Sequence, residues 1–242
     1  MMQKSEFLRL IQANINAHGY HVTVVTGGAL PRYAYTIGCV LIVGAELVFA
    51  GGEYYSQAQI REILDAFVSR LSREPIDAGF SVWLGLLGTF TLAPVDASWR
   101  NRVLLGAVDY HAQPDLLVWQ IVPEGLHRTL DVPEMAQAFD ATAQPVWQWL
   151  DRPWPFPVPA HSMVLTEVQV LRGAAATEMM RWEADDWEIF AGAGPEVPAA
   201  DRRMVPLGVL LGIDPTLEPA VYLPIGKGLW RDIEALEWNE WG

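Results

Sequence analysis

His21-Val22-Thr23-Val24-Val25-Thr26, Gly27-Gly28 and Tyr33-Ala34-Tyr35-Thr36-Ile37 form the stretch that settles how this chain folds. β-Branched and aromatic residues fill both runs, and the glycine pair supplies a turn. The spacing therefore predicts two strands, with antiparallel pairing suggested by the turn. Glu46 to Ala50 reads as a third strand. Outward from here the apolar period lengthens to that of a helix. Upstream, Phe7, Leu8, Leu10, Ile11 and Ile15 make a stripe over residues 5–17, with Ser5 as cap and Gly19 as stop. Downstream, Ile60, Ile63, Leu64, Phe67, Val68 and Leu71 share one face of a helix over 57–71, capped by Ser56. Pairing strands with segregated helices predict an α+β fold.

The pattern continues along the chain. Residues 80–92 read as short strands with a bend, and 116–122 as a strand ending at Pro123-Glu124-Gly125. Residues 99–111 fit a helix better than a strand, and 132–141 read as a helix with Pro133 in its first turn. Pro153, Pro155, Pro157 and Pro159 then interrupt the chain. Proline fixes φ and lacks a donor, so 151–161 reads as a stiff connector between a domain over 1–150 and another over 162–242. Beyond it, 163–171, 178–182 and 187–190 read as strands, and 204–211 as a short apolar element. Two modules are expected, each a mostly antiparallel sheet with helices packed on it.

Composition bounds the function. With 242 residues, 51% hydrophobic and 19% charged, the chain has material for a sizeable core. The formal net charge is −13. Residues 1–150 hold 9 basic and 14 acidic side chains, leaving −5, and residues 151–242 hold 7 and 15, leaving −8. Such a surface repels phosphate backbones and argues against nucleic acid, while it steers a basic protein partner in. Of the 11 tryptophans, Trp238 and Trp241 stand beside acids and are expected to be exposed. A lone cysteine, Cys39, rules out an intrachain disulfide. The opening residues lack the apolar run of a signal peptide, and no stretch is apolar enough to span a membrane, so a cytoplasmic protein is expected.

Catalytic motifs are not evident. Cys39 ends an apolar strand, where a buried small hydrophobe is expected. His18 and His21 have spacing that metal sites use, but no Cys/His cluster completes a ligand set, so no metal or other cofactor is expected. Gly226-Lys227-Gly228 lacks the rest of a phosphate loop. Tyr33, Tyr35, Thr36 and Glu46 are a more interesting group. Tyr33 and Tyr35 share a strand face, and with a hydroxyl and a carboxylate nearby they could line a polar pocket. The densest candidate surface is Trp182, Glu183, Asp185, Asp186, Trp187 and Glu188, where indoles offer contact area and acids offer steering.

Gly19-Tyr20-His21-Val22, Tyr33-Ala34-Tyr35-Thr36-Ile37-Gly38, Ala45-Glu46-Leu47-Val48 and Val118-Trp119-Gln120-Ile121-Val122-Pro123 carry a resemblance. Over roughly residues 5–130 the chain resembles the bacterial domain of unknown function 4262 family, departing from it at Cys39 and Glu124. That resemblance implies no mechanism. A second is carried by Thr166-Glu167-Val168, Met180-Arg181-Trp182-Glu183, the run Asp186 to Gly192, Val205-Pro206-Leu207, Ile213-Asp214-Pro215, Pro224-Ile225-Gly226 and Arg231-Asp232. Over about 162–233 the chain resembles domain of unknown function 2185, grouped with toxin-immunity proteins of the immunity protein 33 type, and departs from it at Asp185-Asp186, where that family usually has Ser-Gly before the tryptophan. That resemblance implies binding and neutralisation of a toxin partner. The leading expectation is thus a non-enzymatic binding protein. The alternative is a small-molecule binder or enzyme with its site on the N-terminal sheet near Tyr35.

Overall fold

Ser56 shows how local chemistry starts an element here. Its hydroxyl accepts from Gln59 N, and the Gln59 side chain accepts from Ser56 N. This capping box fixes the start of a helix at Gln57–Leu71, whose six apolar residues are all buried. A computed structural model describes residues 4–74, 80–113, 115–235 and 237–241, without the side chains of Lys4, Ser5 and Phe7. The expected cap at Ser5 and the contribution of Phe7 to the first stripe lie outside the described residues.

The chain divides into two compact units. The first comprises Met1–Val25, Arg32–Arg128 and Glu134–Phe139; the second comprises Thr26–Pro31, Thr129–Pro133 and Asp140–Gly242. In the first unit the elements are α1 (Lys4–His18), β1 (His21–Val25), β2 (Tyr33–Ile37), α2 (Val40–Val43), β3 (Glu46–Ala50), α3 (Gln57–Leu71), β4 (Ser81–Trp83), β5 (Thr89–Pro94), α4 (Ala97–Val103), α5 (Leu105–His111) and β6 (Val118–Pro123). Its six-stranded sheet runs β1-β2-β3-β6-β5-β4. β1 and β2 pair antiparallel, Thr23 opposite Tyr35, as the glycine turn predicts. Among the described residues only β3 and β6 pair in parallel in this sheet, Leu47 opposite Trp119. Leu47 and Phe49 join Ile60, Ile63, Leu64 and Phe67 of α3 in one buried cluster.

The second unit has β7 (Met163–Glu167), α6 (Val168–Leu171), β8 (Glu178–Arg181), β9 (Asp186–Phe190), β10 (Arg202–Pro206), α7 (Leu207–Ile213), β11 (Lys227–Trp230) and β12 (Asn239–Glu240). Its sheet runs β10-β7-β9-β8-β11-β12, again with one parallel pair, β7 with β9. The two sheets are separate, and each is mostly antiparallel with helices, an α+β architecture in two modules.

Four expectations need correction. Residues 163–171 are not one strand, because β7 ends at Glu167 and α6 follows over Val168–Leu171. Residues 99–111 form two short helices, because Leu104 leaves helical geometry at φ −106° and ψ 33°. Residues 132–141 form no helix. Their backbone groups bond outward: Met135 O accepts from Asp96 N, Met135 N donates to Gln120 Oε1, and Phe139 N donates to Ser98 Oγ. A segment so satisfied has no use for internal helical bonds. The proline stretch at 151–161 lies inside the second unit. Trp149, Trp154 and Phe156 pack edge to face with ring centroids 4.9 to 6.0 Å apart, and Trp154 Nε1 donates to Val158 O at 2.7 Å. The aromatic residues between the prolines thus fold the stretch upon itself. The loop Thr26–Pro31 also belongs to this unit, against α7. Gly208 makes that approach possible, since a Cβ there would stand 2.3 Å from Ala29 O.

Candidate functional site

Each unit offers one site built from residues that the sequence singles out, and the two are opposite in character. In the first, Glu46 opens β3 and is fully buried. Its carboxyl group accepts from Thr36 Oγ1 at 2.6 Å, Gly38 N at 2.7 Å, Cys39 N at 3.2 Å and Val40 N at 3.4 Å. His111 Nε2, at the end of α5, lies 2.7 Å from Oε1. Thr36 Oγ1 in turn accepts from Leu47 N. Gly38 turns the chain onto the carboxyl group with φ of 91°, a left-handed conformation costly for residues with a Cβ. One side chain therefore ties β2, the start of α2, β3 and α5 together. Such a saturated buried group is a structural lock.

The expected polar pocket does not assemble. Thr36 and Glu46 meet, but Tyr33 and Tyr35 point to the other face of β2, with rings stacked at 6.4 Å. Tyr35 Oη accepts from Gly106 N at 3.2 Å, and both phenols are buried. Burial pushes the Tyr33 hydroxyl up to about 12 and raises that of Tyr35. Cys39 sits in the core, and burial, followed by the Glu46 charge, pushes its thiol up to about 12. A thiol so held stays protonated at neutral pH and is a poor nucleophile. His21 Nδ1 accepts from Asn14 Nδ2 at 2.8 Å, and burial lowers its affinity for a proton, followed by the influence of Arg61. Among the described residues no group of three or more His, Cys, Asp or Glu side chains could hold a metal. No helix among them is long and apolar enough to cross a membrane.

In the second unit the sheet has one covered and one open face. Val164, Met179, Trp187, Ile189 and Val205 are buried on the covered face. By alternation, one rung of the opposite face reads Met204, Leu165, Glu188, Met180, each opposite the next across β10, β7, β9 and β8. Met204 is 50% exposed, Trp182 47%, Trp241 42% and Trp230 38%, which makes this an apolar surface with aromatic residues at its margin. The 3-10 turn Gly194–Glu196 closes over Phe190 at one end of this face, while Met204 and Trp182 remain about half exposed.

The six recognition candidates divide between these faces. Trp182 and Glu188 lie on the open face, lining a shared groove, and Glu183 and Asp185 are exposed in the β8–β9 turn with Asp186 half-buried beside them. Trp187 is fully buried, its Nε1 donating to Ala220 O at 3.1 Å. Strand alternation turns it inward, so its ring is unavailable to a partner. Sequence reasoning also missed Arg181. Its guanidinium lies 4.7 Å from the Trp187 ring centroid and donates to Leu223 O, Ala184 O and Glu183 O at 2.8, 2.7 and 3.1 Å. It holds the acidic turn in shape from beneath. The signal was an arginine flanking an acid-rich turn, but only the fold shows that it takes carbonyls. Asp214 and Arg231, quoted above as motif residues, form another lock. Arg231 Nη2 pairs with Asp214 Oδ2 at 3.0 Å, and its ring partner is Trp238 at 4.2 Å, which is why Trp238 is only half exposed.

Residues 14–128 match the family described as Domain of unknown function (DUF4262). Apart from the loop Thr26–Pro31 the match falls on the first unit, and it leaves the resemblance of residues 162–233 to immunity proteins without support. No curated protein and no solved structure matches the chain.

Proposed function

We propose that this chain is a non-enzymatic cytoplasmic binding protein whose second unit docks a basic protein partner on its open sheet face, and that the partner is a toxin domain neutralised by the contact. The open face carries the reading: a row of methionine, leucine and glutamate bounded by exposed indoles and an acidic turn. Methionine-rich apolar surface adapts to a partner, and indoles supply contact area at small entropic cost. Glu183, Asp185 and Asp186 add the field that draws in a cationic surface. The toxin assignment rests on the residues quoted above for 162–233 alone, a stretch outside the family match. The sealed Glu46 centre suits a scaffold role for the first unit, since catalysis needs a group that substrate can reach.

The test is direct binding. Toxin-domain proteins encoded beside this gene are purified as inactive variants and passed over the immobilised chain. One of them should associate, and the double variant D185K/D186K should slow that association about tenfold, more at low salt. Absence of any such association would remove the toxin reading. An unchanged rate in the double variant would remove the steering argument.

A further inference from the structure

The open face contains a groove of about 190 Å³ with a particular chemistry. Met180 and buried Phe190 line it, Trp182 and Trp241 are half-exposed in its wall, Gly194 and Pro195 close one end, and Glu178 and Glu188 supply its carboxylates. Glu178 lies two residues before Met180 on β8, and Glu188 is the cross-strand partner of Met180, so both carboxylates share its face. Trp241 is placed by a backbone bond, its N donating to Gly228 O at 3.3 Å. Among the described residues neither carboxylate has an ion pair or hydrogen bond, and neither indole has a cation against it.

The rest of the unit shows what an indole takes when a guanidinium is in reach. Arg181 stacks on Trp187 and Arg231 on Trp238. Resting on the partner reading above, we propose that the groove is the subsite for one arginine side chain of the bound protein. The guanidinium stacks on an indole and pairs with Glu178 and Glu188, and its methylene stem runs over Met180. A planar guanidinium serves this site better than an ammonium, because it stacks on aromatic faces and forks onto carboxylates. The volume points the same way, since it is well below the roughly 300–1,000 Å³ of pockets for drug-sized ligands. Unpaired acids exclude an anionic occupant.

The experiment uses the whole chain labelled with fluorotryptophan and observed by fluorine NMR, with Trp182 and Trp241 resonances assigned through W182F and W241F. Acetyl-arginine amide is titrated into the millimolar range, with the neutral isostere acetyl-citrulline amide as control. The Trp182 and Trp241 resonances should move saturably with the arginine probe and stay fixed with citrulline. In E178Q/E188Q, a surface change that keeps side-chain shape, the apparent affinity should fall about tenfold. No movement with arginine, equal movement with citrulline, or an unchanged midpoint in E178Q/E188Q would each overturn the subsite. The two readings fail separately. A saturable arginine titration without any protein partner sinks the docking proposal alone, and a partner that binds E178Q/E188Q as tightly as the parent sinks the subsite alone.

Discussion

The first unit seals one polar cluster in its interior, and the second leaves one apolar sheet face partly open. Glu46, Thr36 and His111 form a cluster of the residue types that enzymes use, yet every contact they make is internal and closed. Met204, Met180 and Trp182 are residue types that cores use, yet Met204 and Trp182 are about half exposed on a sheet face and Met180 lines a groove in it. The lesson is that residue identity does not report role. What matters is whether a group's bonding capacity is already met, and whether an apolar face already has a cover.

Mutation can break or sharpen this contrast. The largest effect is expected from Trp187→Ala, which opens a cavity beneath the β8–β9 turn and should cost about 3–5 kcal/mol in urea unfolding. Glu46→Ala should cost a similar 3–5 kcal/mol, because it strands a hydroxyl, two or three amide N–H groups and an imidazole in the core. A loss under about 1 kcal/mol would show that the centre is no lock. Next comes alkaline pH. The Cys39 thiol is raised from 9.0 and the Tyr33 phenol from 10.0, each to about 12. The unfolded chain therefore loses these protons first, so their stabilising contribution is complete below about pH 9 and drains away toward pH 12. The urea midpoint should fall across that window, and the fall should be smaller in Tyr33→Phe. The smallest effect is Trp182→Ala, expected to change stability by no more than about 0.5 kcal/mol while weakening partner binding about tenfold or more. If instead Trp182→Ala unfolded the chain, the open face would be a core face after all.

Much of the fold was legible in the sequence. The Gly27-Gly28 turn fixed the first strand pair, and the stripe from Ile60 to Leu71 fixed α3. What escaped was decided at long range. The parallel pairing of β3 with β6 joins segments some seventy residues apart in sequence, and no local pattern encodes it. Residues 132–141 have a helical composition, but Asp96, Ser98 and Gln120 compete for their backbone. The candidate site was half legible. Alternation along β9 is enough to separate Glu188 from Trp187, so that distinction was available without coordinates. The burial of Tyr35 under Gly106 and the reach of His111 to Glu46 were not, since both depend on where α5 packs.

Arg181 has a thermodynamic consequence. By holding two carbonyls of the β8–β9 turn, Glu183 O and Ala184 O, and tying them to Leu223 O, it freezes that loop before any partner arrives. Encounter then need not order the acidic tip, and most of that ordering cost falls on folding instead of on association. Calorimetry should find only a modest entropic penalty for the parent chain, whereas Arg181→Lys, which cannot reach all three oxygens with one planar fork, should bind with a visibly steeper one.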